Sequence, residues 1–270
     1  MGLELRFLGT GTSVGVPMIG CDCPVCTSPD PRNRRRRSCL FVKHGDGSFV
    51  VDTPPDFREQ MLEERIRRVD AVFFTHVHAD HIFGFDDIRR FNTIQNSVIP
   101  AYGAPEILRR IHEIFDYIGE IPGDNGLFRP LIRFCPMTEP VEVDGVRMTL
   151  LPVEHGGAPC YGYLMEADGV RVGYISDCSR IPESTLAVLG DLDVMVLDAL
   201  RYRPHPSHMC VAESVACLEK IGAKRSYLIH LCHDLDHGKL SGELPENMFV
   251  TYDGLRVTVD RDGKSAGEEQ

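Results

Sequence analysis

Thr75-His76-Val77-His78-Ala79-Asp80-His81 is the stretch that decides the fold. It follows the apolar run Ala71 to Phe74 and precedes Ile82-Phe83-Gly84-Phe85. A buried strand that ends in three imidazoles and a carboxylate leaves polar groups without partners in a core, so they call for metal or water. Side chains alternate along an extended segment, so His76 and His78 share one face and can grip one ion. Asp80 and His81 fall beyond the strand end, where the turn can aim them at a second ion, about 3.5–4 Å from the first in two-metal hydrolases.

The rest of the chain is read around that centre. With 270 residues and 43% hydrophobic content it can bury a large core. No run of 18 apolar residues occurs, which gives no membrane span, and the opening Leu3-Glu4-Leu5-Arg6-Phe7 alternates as a strand rather than reading as a signal peptide. The expected location is cytoplasmic. Ten cysteines in such a chain point to reduced thiols, some of them metal ligands, rather than to disulfides. A formal net charge of −11 repels polyanions, which makes long nucleic acid a poor substrate.

Leu3 to Leu8 reads as a strand, followed by the glycine-rich turn Gly9-Thr10-Gly11-Thr12-Ser13, whose amides could face an anion or simply make a tight connection. Cys21-Asp22-Cys23-Pro24-Val25-Cys26 offers three thiols to one tetrahedral zinc, with the fourth ligand to come from afar. Arg32-Asn33-Arg34-Arg35-Arg36-Arg37 reads as a solvated linker, the rival being contact with an anionic substrate or a neighbouring subunit. Asp56 is expected to cap a helix with Phe57, Met61, Leu62 and Ile66 on its apolar face. Pro105 opens another, carrying Ile107, Leu108, Ile111, Ile114, Phe115 and Ile118, with His112 off that stripe as a bystander. Gly119 to Pro140 reads as a long connection over a cleft.

In the second half, successive apolar runs end in polar residues: Met148 to Val153 in Glu154-His155, Val170 to Ser176 in Asp177, Val194 to Leu197 in Asp198, and Ser226 to Ile229 in His230. Ligands delivered by strand ends gather on one rim of a sheet. Ser207 is expected to cap a helix with Val211, Val215, Leu218 and Ile221, which puts His208 at its amino end and favours it over His205 for the site. Met248 to Thr251 and Leu255 to Val259 read as a hairpin, with a fraying tail from Arg261.

These residues resemble the metallo-β-lactamase superfamily, through His-x-His-x-Asp-His at 76–81 with His155, Asp177 and His230 in family order. Phe7-Leu8-Gly9-Thr10-Gly11-Thr12, the three cysteines and His230-x-x-His233 look like its PhnP-type phosphodiesterases of the carbon–phosphorus lyase pathway of phosphonate breakdown. The resemblance implies an α/β (α+β) fold, a four-layer αβ/βα sandwich of two sheets flanked by helices. It would occupy residues 1–260, with a zinc-binding loop at about 20–37 and a flexible tail at 261–270. It implies that His76, His78 and His155 hold one ion, that Asp80, His81 and His230 hold another, and that Asp177 bridges them. The two ions, manganese or zinc, would yield a bridging hydroxide as nucleophile. Cys21, Cys23, Cys26 and His233 would close a structural zinc. His208 and Asp80 would be catalytic, His208 protonating the leaving oxygen. The implied substrate is a small cyclic phosphodiester, such as 5-phosphoribosyl 1,2-cyclic phosphate or a 2′,3′-cyclic nucleotide, and the implied assembly a homodimer.

Three other readings were weighed. Transfer-RNA 3′-processing ribonucleases share the Leu-Gly-Thr-Gly opening and the metal motif, but not the cysteine cluster, and this chain has no long basic arm. A pyrroloquinoline quinone biosynthesis branch carries clustered cysteines with an altered metal site, whereas every ligand position is filled in this sequence. The same completeness counts against a metal-binding sensor or scaffold.

Overall fold

The computed structural model describes residues 2–120 and 128–261. Among them, two sheets of seven strands form from strands in chain order. The first sheet takes β1 (Leu3–Gly9), β2 (Cys39–His44), β3 (Gly47–Val51), β4 (Ala71–Phe73), β5 (Ile99–Gly103) and β6 (Ile132–Pro136). The second takes β7 (Val141–Val143), β8 (Val146–His155), β9 (Ala158–Ala167), β10 (Val170–Ile175), β11 (Val194–Asp198), β12 (Arg225–Ile229) and β13 (Met248–Val250). The last strand, β14 (Arg256–Val259), returns to the first sheet beside β1.

Each sheet is half antiparallel and half parallel. In the first, β14, β1, β2 and β3 pair antiparallel, while β3 to β6 run parallel. The second mirrors it, with β7 to β10 antiparallel and β10 to β13 parallel. Both faces of the central parallel strands are covered: every residue of β3, β4 and β11 is buried. Between the sheets pack Phe7, Phe49, Phe73, Tyr163 and Tyr174.

The helices supply the outer layers. On the first sheet lie α1 (Phe57–Glu63), α2 (Ala79–Ile82), α3 (Arg89–Gln95) and α4 (Pro105–Ile114), through Phe57, Ile82, Phe91 and Ile111. On the second lie α5 (Glu183–Leu186), α6 (Val211–Ile221) and α7 (His237–Glu243), through Leu186, Leu218 and Leu240. This is the four-layer α/β sandwich expected from the sequence. No described helix is long and apolar enough to cross a membrane. The α4 stripe is core, since Ile107, Leu108 and Ile111 are buried, and His112 sits on the exposed side with its ring against Phe134.

Several local expectations are corrected. Met248 to Val259 is no hairpin: β13 pairs with β12 and β14 with β1, so the chain crosses from one sheet to the other. The crossing is pinned by the Asp253 carboxylate, which accepts from Thr10 N (3.0 Å), Thr10 Oγ1 (2.8 Å) and Arg36 N (2.8 Å). The Thr10 N bond also occupies one amide of the glycine turn, and Gly11 N and Thr12 N donate to the carbonyls of Arg36 and Leu231, so these three amides make a tight connection rather than facing an anion. Asp56 precedes α1 without capping it, because its carboxylate takes the Arg37 amide and guanidinium instead. On that helix Leu62 is exposed, and Ile66 lies past its end.

The arginine run is not a solvated linker. Arg35 is 1% exposed, Arg36 meets Asp253 and Glu63, and Arg37 meets Asp56. The expected connection from Gly119 to Pro140 lies partly outside the described residues and includes strand β6; the tail from residue 262 onward lies outside them entirely.

Candidate active site

The parallel strands of both sheets end on a common rim. Asp52 follows β3, Thr75 to His81 follow β4, Asp177 follows β10, Asp198 closes β11 and His230 follows β12, while the β8–β9 hairpin delivers His155. Among the described residues four groups of donors form there, each with ligand atoms within 4.8 Å of one another: His76, His78 and His155; His76, His81 and Asp177; His155, Asp177 and His208; and Asp80, His81 and His230. Asp177 stands between the first and last groups, with its Oδ1 3.3 Å from His81 Nε2 and its Oδ2 3.4 Å from His230 Nε2.

The hydrogen bonds behind the imidazoles fix which nitrogen is bare. Asp52 accepts from Thr75 N (2.9 Å), from Thr75 Oγ1 (2.7 Å) and from His81 Nδ1 (2.7 Å). Thr75 Oγ1, having given its hydrogen to Asp52, accepts from His76 Nδ1 at 2.9 Å. Ser38 Oγ donates to Gly11 O and so accepts from His230 Nδ1 at 3.3 Å. His155 Nδ1 donates to Ser207 O at 2.7 Å. In all four rings Nδ1 carries the hydrogen, which leaves Nε2 with a lone pair aimed into the rim. His78 enters the other way round, with its Nδ1 2.9 Å from His76 Nε2 and 3.2 Å from His155 Nε2.

A hydrogen on His78 Nδ1 can bridge one of these lone pairs but not both, so the set is better met by a cation among them, and the charges say the same. Burial pushes the pKa of His76 and His155 down and that of His230 down to about 3, keeping those rings neutral. At His81 burial also opposes charge, but Asp177, Asp52 and Asp80 outweigh it and raise its pKa, so that position demands a positive charge that a proton or a metal cation can meet. Burial likewise opposes charge on Asp177, yet His230 and His81 hold its carboxyl well below the usual range. His81 Nε2 and Asp177 Oδ1 are buried with no hydrogen-bond partner among the described residues. The donor set fits two divalent cations.

His208 lies beside this centre, though not at a helix start. Helix α6 begins at Val211 with Cys210 as its cap, Cys210 and Glu213 making a reciprocal capping box that satisfies the first-turn amides. His208 sits in the preceding loop, where its Nδ1 donates to Asp198 Oδ2 at 2.7 Å and lies 3.9 Å from Asp177 Oδ2. Burial disfavours its charge, but the Asp198 bond prevails and raises its pKa. The ring stacks on His230 with centroids 4.8 Å apart and meets His155 edge-on at 4.7 Å. His205 is adjacent, its ring 5.2 Å from that of His208 and its Nδ1 accepting from Ser207 N at 3.3 Å.

A second donor cluster stands apart. Cys21, Cys23, Cys26 and His233 converge within 4.8 Å, His233 Nδ1 lying 3.3 Å from Cys21 Sγ and 3.5 Å from Cys23 Sγ. The Cys26 amide pulls the Cys23 thiol down to about 6, while burial and the charge of Cys23 push Cys26 up to about 11. Three thiols in this space can all ionise only around a cation, and three sulfurs with one imidazole suit tetrahedral zinc. The other seven cysteines join neither donor cluster, Cys135 and Cys217 half-buried and the rest buried, with Cys160 Sγ donating to Asp177 O at 3.4 Å and Cys39 Sγ to Asp52 O at 3.3 Å.

Sequence reasoning missed Asp52 and Arg35. Asp52 lies at a strand end like the ligands, and the signal for it was its place after the apolar run Phe49 to Val51. His237, whose role the sequence left open, packs its ring against Tyr252 and takes no part in either cluster.

A β-lactamase superfamily domain model matches residues 48–231. The structure described as a new diphosphatase from the PhnP family superposes with a TM-score of 0.88 at 38% identity, covering 96% of this chain and 98% of that one. Zn(2+)-bound PqqB from Methylobacterium extorquens follows with a TM-score of 0.78 over 95% of this chain and 99% of that one, and at 21% identity it speaks for the fold alone. In sequence, the chain is 32% identical over 267 residues to the octanoyltransferase of Porphyromonas gingivalis, across 95% of this chain and 51% of that protein, so it spans about half that relative's length.

Proposed function

The chain belongs to the β-lactamase superfamily and, within it, to the PhnP family, and on that footing we propose that it is a dinuclear-metal phosphodiesterase acting on small cyclic phosphodiesters. The observation that carries this reading is Asp177 lying between His76/His78/His155 on one side and Asp80/His81/His230 on the other, with His208 at its edge. In this reading the first three hold one ion, the second three hold the other, and Asp177 belongs to both; Cys21, Cys23, Cys26 and His233 hold a structural zinc. When bound, the two divalent ions supply the Lewis acidity that makes water nucleophilic at neutral pH and draws in the phosphate's anionic oxygens.

The protein's own groups do the rest. Asp80 and Asp177 supply the negative charge that retains the cations, and Asp52 keeps His81 in the tautomer that faces them. His208, with Nδ1 committed to Asp198, has only Nε2 from which to give a proton to the departing sugar oxygen. The acidic chain, at −11, favours a small diester over a long nucleic acid.

A second reading is a diphosphate substrate, favoured by the 38% identity to a structure described as a diphosphatase. The two differ at His208, because a phosphate leaves without protonation far more readily than a sugar alkoxide. The test is elemental analysis together with turnover of a 2′,3′-cyclic nucleotide and of a nucleoside diphosphate sugar after manganese or zinc reconstitution. Near three metals per chain, cyclic-diester turnover that vanishes in Asp177→Ala and a steep His208 dependence support the diesterase. Turnover of the diphosphate alone, indifferent to His208, favours the second reading. One tightly held zinc with no turnover rejects both.

A further inference from the structure

His230 and His233 belong to one short stretch, His230-Leu231-Cys232-His233, so the rim and the thiol cluster share a tether three residues long. His230 starts it with the left-handed φ of 62°, and its ring is held by Ser38 and faces Asp177. Leu231 N donates to Thr10 O at 2.9 Å and Cys232 N to Leu200 O at 2.9 Å. The carbonyl side is held by Arg35, whose Nη1 donates to Cys232 O at 2.9 Å and whose Nη2 donates to Leu235 O at 2.7 Å and to Asn33 Oδ1 at 3.1 Å. Asn33 in turn accepts from His237 N at 2.8 Å and donates to Asp236 Oδ2 at 2.7 Å. Arg35 is anchored on its own side by paired backbone bonds with Val16 at 2.8 Å, and its Cβ packs where a side chain on Gly11 would collide, at 2.8 Å.

This is an unusual use of a buried arginine. Its three acceptors are two main-chain carbonyls and a side-chain amide, and burial pushes its pKa down to about 10. A guanidinium desolvated without a bonded carboxylate is costly. What it supplies is a rigid fork spanning two carbonyls on either side of His233, which a lysine's single nitrogen cannot reproduce.

Resting on the dinuclear reading above, we propose that the Cys21/Cys23/Cys26/His233 centre governs the affinity of one of the two active-site ions only, the one held by Asp80, His81 and His230, and that Arg35 is the positioning residue that carries the coupling. The asymmetry follows from connectivity. His230 is the sole rim ligand on the tether, whereas His76 and His78 follow β4 and His155 closes β8, braced by Thr75 and Ser207. Loosening His233 therefore leaves His230 facing Asp177 on Ser38 and the Leu231 and Cys232 amides alone, and touches no ligand of the other group. Coupling between binding sites is reciprocal, so the second ion must tighten zinc retention by the same factor.

The experiment uses the full chain and manganese. Manganese binding to wild type, Arg35→Gln and Arg35→Lys is followed by calorimetry and by the spin-coupled signal of a manganese pair, and zinc release to a chelating dye is measured in parallel at equilibrium. In Arg35→Gln the manganese held by Asp80, His81 and His230 is expected to lose about 10- to 100-fold in affinity, as when a group bracing a ligand is removed. The first ion should change less than about twofold, and Arg35→Lys should fall between. Should the Arg35 variants not fold, the reciprocal arm decides: Asp80→Asn should increase the zinc released at equilibrium and His78→Asn should not. Equal weakening of both ions, no weakening of either, or equal zinc release from the Asp80 and His78 variants overturns the coupling. A wild type that binds no manganese at the rim overturns instead the dinuclear reading on which it rests.

Discussion

Replacing Asp52 by asparagine tests whether hydrogen bonds behind the ligands set metal affinity. Asp52 sits at φ 64°, a left-handed position that asparagine tolerates, so the change adds little backbone strain. The carboxylate accepts three hydrogen bonds, one on Oδ1 from Thr75 N and two on Oδ2 from Thr75 Oγ1 and His81 Nδ1. An amide has one accepting end. If its oxygen keeps Thr75 N, its NH2 faces His81 Nδ1 and forces that ring into the other tautomer, with a hydrogen on Nε2 pointing at Asp177 3.3 Å away. If it flips, two hydrogens meet the Thr75 amide, and a buried donor there goes unmet at about 1–3 kcal/mol. The flip would keep the His81 tautomer at that cost in folding stability, so the first arrangement is the expected one, and in it the ion beside His81 is lost or weakened, by about 10- to 100-fold, which is about 1.4–2.7 kcal/mol. Calorimetric manganese titration of the asparagine and wild-type proteins, with circular dichroism as the folding control, measures it. Folded protein with both manganese affinities unchanged would refute the tautomer argument.

Three further outcomes are expected. His208→Gln should lower kcat/KM on a 2′,3′-cyclic nucleotide by about 10²–10⁴-fold while sparing bis(4-nitrophenyl) phosphate, whose nitrophenolate needs no proton; equal losses on both would remove the acid role. Cys23→Ser should lower Tm and zinc content while kcat at saturating manganese stays near wild type, and an unchanged melting curve would show that no structural metal is held there. Burial, Arg32 and Arg35 hold His237 down to about 4 in the fold, against about 6.5 when unfolded, so the unfolded chain takes up the proton first and stability should fall as pH drops from about 6.5 to 4, then level off. That loss is about 2 kcal/mol after allowing for solvent screening, and His237→Gln should flatten it in urea titrations at successive pH values.

How far the sequence revealed the site depended on how local each cause was. His76 to His81 were legible because the whole motif lies within one strand end, and His155, Asp177 and His230 because each terminates an apolar run. Asp52 also terminates one, but its role depends on donors 23 and 29 residues away, and nothing in its neighbours separates it from an ordinary turn aspartate. Arg35 is hidden by its company: of the successive arginines Arg34 to Arg37, it is the fully buried one, because it faces the Cys232–Leu235 carbonyls while Arg34 faces solvent. The start of α6 was set three residues early, since serine is a preferred cap and cysteine is not, and the Glu213 reply that makes Cys210 the cap is visible only in space. The misread hairpin has the same origin, in a bond from Asp253 to Thr10, 243 residues away.

On the proposed reading, the two buried carboxylate–imidazole pairs put one construction to opposite uses. Asp52 with His81 and Asp198 with His208 are alike: a strand-end carboxylate, fully buried, accepts Nδ1–H at 2.7 Å. What differs is what surrounds the far side of each ring. His81 Nε2 has carboxylate oxygens of Asp177 and Asp80 at 3.3 and 3.4 Å and no access to solvent, a setting in which a shared cation is worth more than a proton held by one ring. His208 stands at the rim, part exposed, its ring stacked on His230, and among the described residues its Nδ1 meets Asp198 at 2.7 Å and Asp177 only at 3.9 Å. It can therefore exchange its proton with water between turnovers, which a general acid must do and a metal ligand must not. Exchanging the settings should exchange the roles: Asp198→Asn should leave manganese stoichiometry at two and depress turnover of the cyclic nucleotide, whereas Asp52→Asn should depress manganese binding first, with turnover recovering as manganese is raised. Turnover of the Asp52 variant that stays low under saturating manganese would mean that the two pairs do not divide the work in this way.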